Sequence, residues 1–167
     1  MTLYVIRAFD RAVDTASFRC GQLALEAYIH RYASQDVRRN VARVFIATPE
    51  NDTQRVAGFF TLSAGSVSCA EVPASLAKKL PRYPVPIALV GRLAVATDFQ
   101  KQGLGAILLA DACQKVVRVN ETVAVAGIVV DAKDAVAASF YQHFGFLPMP
   151  GQPQRLLLPV TAIRDWQ

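Results

Sequence analysis

The 167-residue sequence holds only two histidines and three cysteines, and together these scarcities remove two classes of function. Cys20, Cys69 and Cys113 form no CxxC pair and His30 and His143 stand apart from them, so neither a metal site nor a disulfide framework is expected. Cys113 falls in a helical apolar pattern, where a small core residue is expected rather than a nucleophile. No apolar run reaches the ~18 residues of a membrane span; the longest, around residues 123–130, stops at Asp131. The opening "MTLYVIRAFDRA" carries charge too early for a signal peptide and lacks a small-residue cleavage site, so a cytoplasmic protein with no membrane partner is expected. Acid is also in deficit, with 13 acidic against 18 basic residues and a net charge of +5. Arginine makes up most of the basic set. That balance permits a phosphate-rich partner without requiring one.

What remains is an apolar chain, 53% hydrophobic, of a length that suits one domain over residues 1–167. "LYVIRAF" (3–9) reads as a first strand, and residues 21–40 place Leu23, Ala24, Ala27, Tyr28 and Tyr32 at helical spacing, in one helix or two. "ARVFIAT" and "RVAGFFTLSAGSVS" read as a hairpin turned by residues 49–52. Four prolines mark 71–86 as loop with a short helix at 74–80. "IALVGRLAV" (87–95) reads as one strand buried on both faces, and "VAVAGIVVD" (123–131) as a second. Between them, a helix over 104–118 puts Leu104, Ile107, Leu108, Ala112 and Val116 on one side, with Asp111 and Lys115 on the other. Asp134 can cap a helix over 135–144 that Gly145 ends, and a strand pair follows at 145–148 and 154–160. The fold class is α/β, a mixed central sheet flanked by helices.

The stretch "FQKQGLGAILLA" (99–110) leaves a strand and enters a helix through Gly103 and Gly105. Such a turn aims unpaired backbone N–H groups at one point, and the helix dipole favours an anion there. A P-loop needs GxxxxGK[ST], which is absent. A dinucleotide fingerprint needs a third glycine where Leu108 stands, although Asp131 could serve as its acidic strand end.

Gln100-Lys101-Gln102-Gly103-Leu104-Gly105 resembles the Q/R-x-x-G-x-G/A motif of the GNAT superfamily of acyl-CoA N-acyltransferases. "GRLAV" before it and "AASFYQHFGF" after it are similar to that family's pantetheine-pairing strand and tyrosine-bearing helix. The resemblance implies acetyl-CoA as cofactor, with its pyrophosphate on the turn formed by Gln100, Lys101, Gln102, Gly103, Leu104, Gly105 and Ala106. Leu93, Ala94 and Val95 would then hold the pantetheine and the acetyl carbonyl, and Tyr141 would donate the proton to the leaving thiolate. Tyr141 could otherwise be a core aromatic between Phe140 and Phe144.

Residues 18–47, 55–68 and 80–95 further resemble the GNAT toxins of bacterial toxin–antitoxin pairs, which acetylate the α-amine of aminoacyl-tRNA. The resemblance implies a ribbon-helix-helix antitoxin, operon DNA bound through the complex, and a homodimer. Arg19 departs from the acidic residue often found after the phenylalanine. Arg38 and Arg39, beside Arg43, are candidates for tRNA backbone contact or a solvated face. Arg92 faces either the substrate mouth or solvent. His143 is expected at the surface or in packing, and Glu71, the nearest carboxylate to the 87–95 strand, in a loop. The competing readings are acetylation of a small-molecule amine or a protein N-terminus, and a non-catalytic acyl-CoA-binding or interaction module.

Overall fold

The structure, a computed structural model, describes residues 2–164. They fall into two compact units: residues up to Ser63 together with Arg92–Ala112, and Ala64–Gly91 together with the residues from Cys113 onward.

In the first unit, β1 (Tyr4–Ala8), β2 (Arg43–Pro49) and β3 (Gly58–Val67, which continues into the second unit) run antiparallel in sequence order. The short β5 (Leu93–Val95) pairs antiparallel with β3, Ala94 opposite Phe59. A helical run packs on this sheet: α1 (Leu23–Ala27), a π-helical turn (Tyr28–Tyr32) and α2 (Ala33–Arg38). The π turn resolves the one-or-two-helix ambiguity. It brings residues five apart into line, so Tyr28, Ile29 and Ala33 are all buried. Phe59 centres this core, with the Phe18 ring edge-on at 5.5 Å and Tyr28 stacked at 6.2 Å.

The second unit holds α3 (Ala74–Ala77), β4 (Val85–Val90), β6 (Gly127–Asp131), α5 (Ala135–His143), β7 (Leu147–Met149), β8 (Gln152–Pro159) and a closing turn of helix, α6 (Val160–Arg164). Strand β6 lies parallel to β4 and antiparallel to β8, and β7 joins β8 antiparallel. A parallel pair needs a crossover, which α4 (Leu104–Val119) supplies in the chain. Asp134 caps α5 as expected, its Oδ1 accepting from Ala137 N at 2.8 Å, and Gly145 has φ +97.

Four expectations are corrected. Residues 87–95 are two strands, not one, because the chain changes partner: β4 pairs with β6, whereas β5 pairs with β3. An apolar run looks the same whichever neighbour it has. The 123–131 strand starts only at Gly127, since Thr122 and Val123 bond back to the carbonyl of Val119 and prolong the end of α4. The closing pair shifts to 147–149 and 152–159 and is followed by α6. On α4, Ile107 is 44% exposed, and Leu109 and Cys113 are buried with Leu104, Leu108, Ala112 and Val116.

Gly58 sets how closely β3, β5 and α4 approach. A methyl group there would lie 2.9 Å from the carbonyl oxygen of Ala94, 3.0 Å from Leu108 Cδ1 and 3.3 Å from Leu104 Cδ2. Gly65 in the same strand would meet only the flexible end of Ile87, at 3.1 Å. Gly58→Ala should therefore cost about 1–3 kcal/mol in urea unfolding, and Gly65→Ala much less. Equal effects would contradict the close packing at Gly58.

Candidate functional site

The cofactor segment of the sequence lies in the first unit and begins with a half-used strand. Arg92 O accepts from Thr61 N at 3.0 Å, and Ala96 N donates to Ala57 O at 2.8 Å. Hydrogen-bonded pairs alternate along an antiparallel ladder, so Ala94 also turns its backbone toward β3. Leu93 and Val95 turn theirs to the other edge, where no strand pairs among the described residues. The carbonyl of Val95 is occupied by Gln100 Nε2 at 2.9 Å. The N–H and C=O of Leu93 and the N–H of Val95 remain for a ligand that lies along the edge like another strand. Of the three residues proposed from sequence, Ala94 turns its backbone to β3 and its side chain is buried in the core.

Gln100, counted in the sequence motif as a cofactor residue, serves another purpose. Its side-chain amide donates to Val95 O and, at 3.1 Å, to Cys20 O. It thereby ties the glycine turn to β5 and to the loop before α1. That loop is fixed by the buried Glu26, whose carboxylate accepts from Cys20 N at 2.9 Å and Gly21 N at 3.0 Å. The bond from Cys20 is the main reason the Glu26 carboxyl titrates below its usual range. Glu26 was missed from sequence because a carboxylate in a first helical turn is ordinary; its backward reach resembles one half of a capping box.

A short 3-10 turn (Thr97–Phe99) follows β5, held by the Arg55–Asp98 ion pair with Arg55 also 4.9 Å over the Phe99 ring. The glycine turn comes next. Lys101 has φ +63 and Gly103 φ +85. A lysine in the left-handed region costs about 1–2 kcal/mol, and such strain gathers where backbone geometry serves a ligand. Ile107 N bonds Gly103 O at 3.2 Å, whereas among the described residues the amides of 101–106 donate to nothing. The exposed Lys101, Gln102 and Gly103 and the half-buried Gly105 and Ala106 thus surround a set of free N–H groups at the mouth of α4, while the Leu104 side chain anchors the core. An anion of pyrophosphate type fits this cradle.

Arg92 is neither fully at the surface nor loose. It is half-buried, and its guanidinium lies 3.7 Å over the face of Tyr28. Tyr28 in turn donates its hydroxyl to Asp36 Oδ2 at 2.9 Å, and burial first, then that bond, pushes the phenol up to about 12. Nothing in the sequence links Tyr28 and Asp36 to Arg92, which lies on a different element. Arg38 and Arg39 are exposed at the end of α2, and Arg43 braces that end by donating to Asn40 Oδ1 at 2.9 Å and Val37 O at 3.3 Å.

Tyr141, in the second unit, has a buried ring packed edge-on against Phe140 at 5.2 Å and Phe146 at 5.6 Å. Among the described residues its hydroxyl takes part in no hydrogen bond, although the residue is only 5% exposed. Burial, with the Asp131 charge second, raises the phenol well above the ordinary tyrosine value. The group keeps its proton across physiological pH. Asp131 itself holds Arg155 at 2.9 and 3.2 Å and is engaged as an ion pair. Cys113 is a core residue, 1% exposed, its thiol pushed by burial to about 12. His143 is exposed with its ring edge-on to Phe144, and Glu71 is in a loop, its carboxylate accepting from Ser68 N at 2.8 Å.

An unpaired strand edge running into a left-handed glycine turn is the acyl-CoA arrangement of one large family. A model of the acetyltransferase (GNAT) domain matches residues 40–148, and the chain belongs to that family. It is an acetyl-CoA-dependent N-acetyltransferase. The chain is 34% identical over 158 residues to the tRNA-acetylating toxin of Mycobacterium tuberculosis (strain ATCC 25618 / H37Rv), covering 95% of this chain and 93% of that one. It is similar to the structure of AtaT complexed with acetyl-methionyl-tRNAfMet, at 29% identity and TM-score 0.90 over 98% of each chain. It is also similar to a tyrosine-to-phenylalanine mutant of AtaT bound to the C-terminus of the antitoxin AtaR and to acetyl-CoA, at 26% identity and TM-score 0.84, over 98% of this chain and 97% of that one.

Gly103→Asp tests the cradle. A Cβ at 103 meets nothing within 4 Å, so the fold should survive, less the ~1–2 kcal/mol of a left-handed side chain. Calorimetry should find acetyl-CoA binding abolished, with circular dichroism unchanged. Unchanged affinity would place the pyrophosphate elsewhere.

Proposed function

We propose that the protein is the toxin of a toxin–antitoxin pair and transfers an acetyl group to the α-amine of aminoacyl-tRNA, which blocks translation. In this reading a ribbon-helix-helix antitoxin neutralises it, the complex binds operon DNA, and the toxin is a homodimer. The observation that carries the reading is the extent of likeness. The tRNA-acetylating toxin matches over 95% of the chain, far beyond the cofactor segment at 93–106 that acetyltransferases of any substrate would share.

The residues fit the task. The N–H and C=O of Leu93 and the N–H of Val95 would pair with the pantetheine arm and the acetyl carbonyl, and the amides of 101–106, with the Lys101 charge, would hold the pyrophosphate. When bound, acetyl-CoA supplies an activated acetyl thioester and a thiolate leaving group. An α-amine of pKa about 7.7–8 is already neutral at pH 7 to the extent of roughly a tenth. A strong general base is therefore unnecessary, which agrees with the absence of a carboxylate in β5. Tyr141 Oη holds the proton that the leaving sulfur needs. A phenol of ordinary pKa is about 1.5 units weaker as an acid than a thiol, or about 2 kcal/mol, and the raised value of Tyr141 widens that gap. The proton moves only to a sulfur already gaining negative charge.

Because Tyr141 Oη makes no hydrogen bond among the described residues, Tyr141→Phe should leave stability within about 0.5 kcal/mol of wild type and acetyl-CoA affinity nearly unchanged. Turnover should fall ~10²–10⁴-fold, and the variant should be harmless when expressed without antitoxin. Wild-type-like turnover would reduce Tyr141 to a core aromatic. The same groups set the pH profile. Activity should rise as the amine deprotonates, level off above about pH 8, and show no falling limb before pH ~10, because Tyr141 stays protonated. A decline between these values would assign the proton to another acid.

The substrate is tested with labelled acetyl-CoA and total charged tRNA. Label should appear at aminoacyl ends, and raising salt should weaken charged tRNA far more than a small amine. Equal turnover of small amines with no salt effect would favour a small-molecule acetyltransferase instead.

A further inference from the structure

Two threonines are buried in neighbouring strands of the first unit, and the structure treats them differently. Thr48 in β2 is fully buried, and its Oγ1 finds no hydrogen-bond partner among the described residues. It fills its place as any β-branched strand residue would. Thr61 in β3 is 3% exposed, and its Oγ1 accepts from the main-chain N–H of Arg92 at 3.1 Å. The register that sets Phe59 opposite Ala94 and Phe60 opposite Leu93 sets Thr61 opposite Arg92. Thr61 N donates to Arg92 O at 3.0 Å. In an ordinary antiparallel pair of this kind the two residues exchange both backbone bonds. Here the return bond runs to the hydroxyl, which stands in for the Thr61 carbonyl. The Arg92 N–H is satisfied, yet its main chain leaves the ladder pattern one residue before β5 begins. The side chain of Arg92 is fixed as well. Its guanidinium lies 3.7 Å over Tyr28, and Tyr28 stacks on Phe59, which shares a face of β3 with Thr61.

Resting on the reading that the Leu93–Val95 edge pairs with the pantetheine arm, we infer that Thr61 is a positioning residue for acetyl-CoA. Its hydroxyl acts through the Arg92 main chain and fixes where the free edge of β5 lies. Valine has the shape and strand preference of threonine, so the oxygen is what the position requires. Without it the partly buried Arg92 N–H has no acceptor, and the main chain must shift to find one. Thr48 serves as the internal control, a buried threonine whose oxygen holds nothing among the described residues.

The test compares wild type with Thr61→Val, Thr61→Ser and Thr48→Val. Calorimetry should find acetyl-CoA bound about tenfold more weakly by Thr61→Val. With charged tRNA as acceptor, the KM for acetyl-CoA should rise while kcat changes little. Thr61→Ser keeps the oxygen and should behave as wild type, and so should Thr48→Val. Amide exchange without cofactor should show the Arg92 N–H slow in wild type and fast in Thr61→Val. If circular dichroism shows the valine variant unfolded, Thr61→Ala removes the same oxygen and takes its place with the same expectations. Unchanged affinity on loss of the oxygen, an equal loss in Thr48→Val, or a serine variant as weak as valine would overturn the assignment. If acetyl-CoA slows exchange at neither Leu93 nor Val95 in wild type, the placement of the cofactor falls instead. The Arg92 amide then still decides whether Thr61 holds the main chain.

Discussion

The feature on which the site depends is the change of strand partner at Gly91–Arg92. A strand paired on both sides has no backbone group left for a ligand. Strand β5 is paired on one side only, and the alternation of an antiparallel ladder decides that Leu93 and Val95, not Ala94, face outward. The arrangement is held from three directions. Thr61 Oγ1 takes the N–H of Arg92 at 3.1 Å, Gly58 allows close approach at Ala94, and Gln100 occupies the carbonyl of Val95. Gln100 also fixes where the chain turns, so the edge and the amide cradle at 101–106 are positioned by one side chain.

Charge follows the same economy. The excess of basic over acidic residues, 18 against 13, leaves guanidinium groups to be managed locally. Arg55 braces the turn before the cradle, Arg155 neutralises Asp131, and Arg92 rests on the face of Tyr28. Tyr141 shows the opposite treatment. Its ring is packed as a core residue, while among the described residues its hydroxyl has no hydrogen-bond partner. For a purely structural tyrosine the usual outcome is a hydrogen bond. A hydroxyl kept protonated by burial and engaged by no acceptor among the described residues suits the proton-donor role proposed for it.

The elements governed by local chemistry were legible in the sequence. The Asp134 cap, the left-handed Gly145, the β2–β3 hairpin and the glycine turn each follow from residue types at fixed offsets. Cys113 was recognisable as core because helical spacing alone buries it. The misses share a different cause. The split of 87–95 into two strands reflects a switch of partner, to which an apolar run is blind. Leu104, Leu108, Ala112 and Val116 are buried as expected, but the stripe widens toward Leu109 and Cys113 rather than toward Ile107. Arg92 on Tyr28, and Gln100 on Cys20 and Val95, join residues far apart in the chain, and no periodicity reports such pairs. Lys101 at φ +63 escaped notice because sequence rules give that conformation to glycine or asparagine.

Amide hydrogen exchange with and without acetyl-CoA tests the central claim residue by residue. Binding should slow exchange at Leu93 and Val95 and across 101–106, while Ala94, already bonded toward β3, should be slow in both states. Protection by acetyl-CoA that spared Leu93, Val95 and the turn, or that arose mainly at Ala94, would contradict the account.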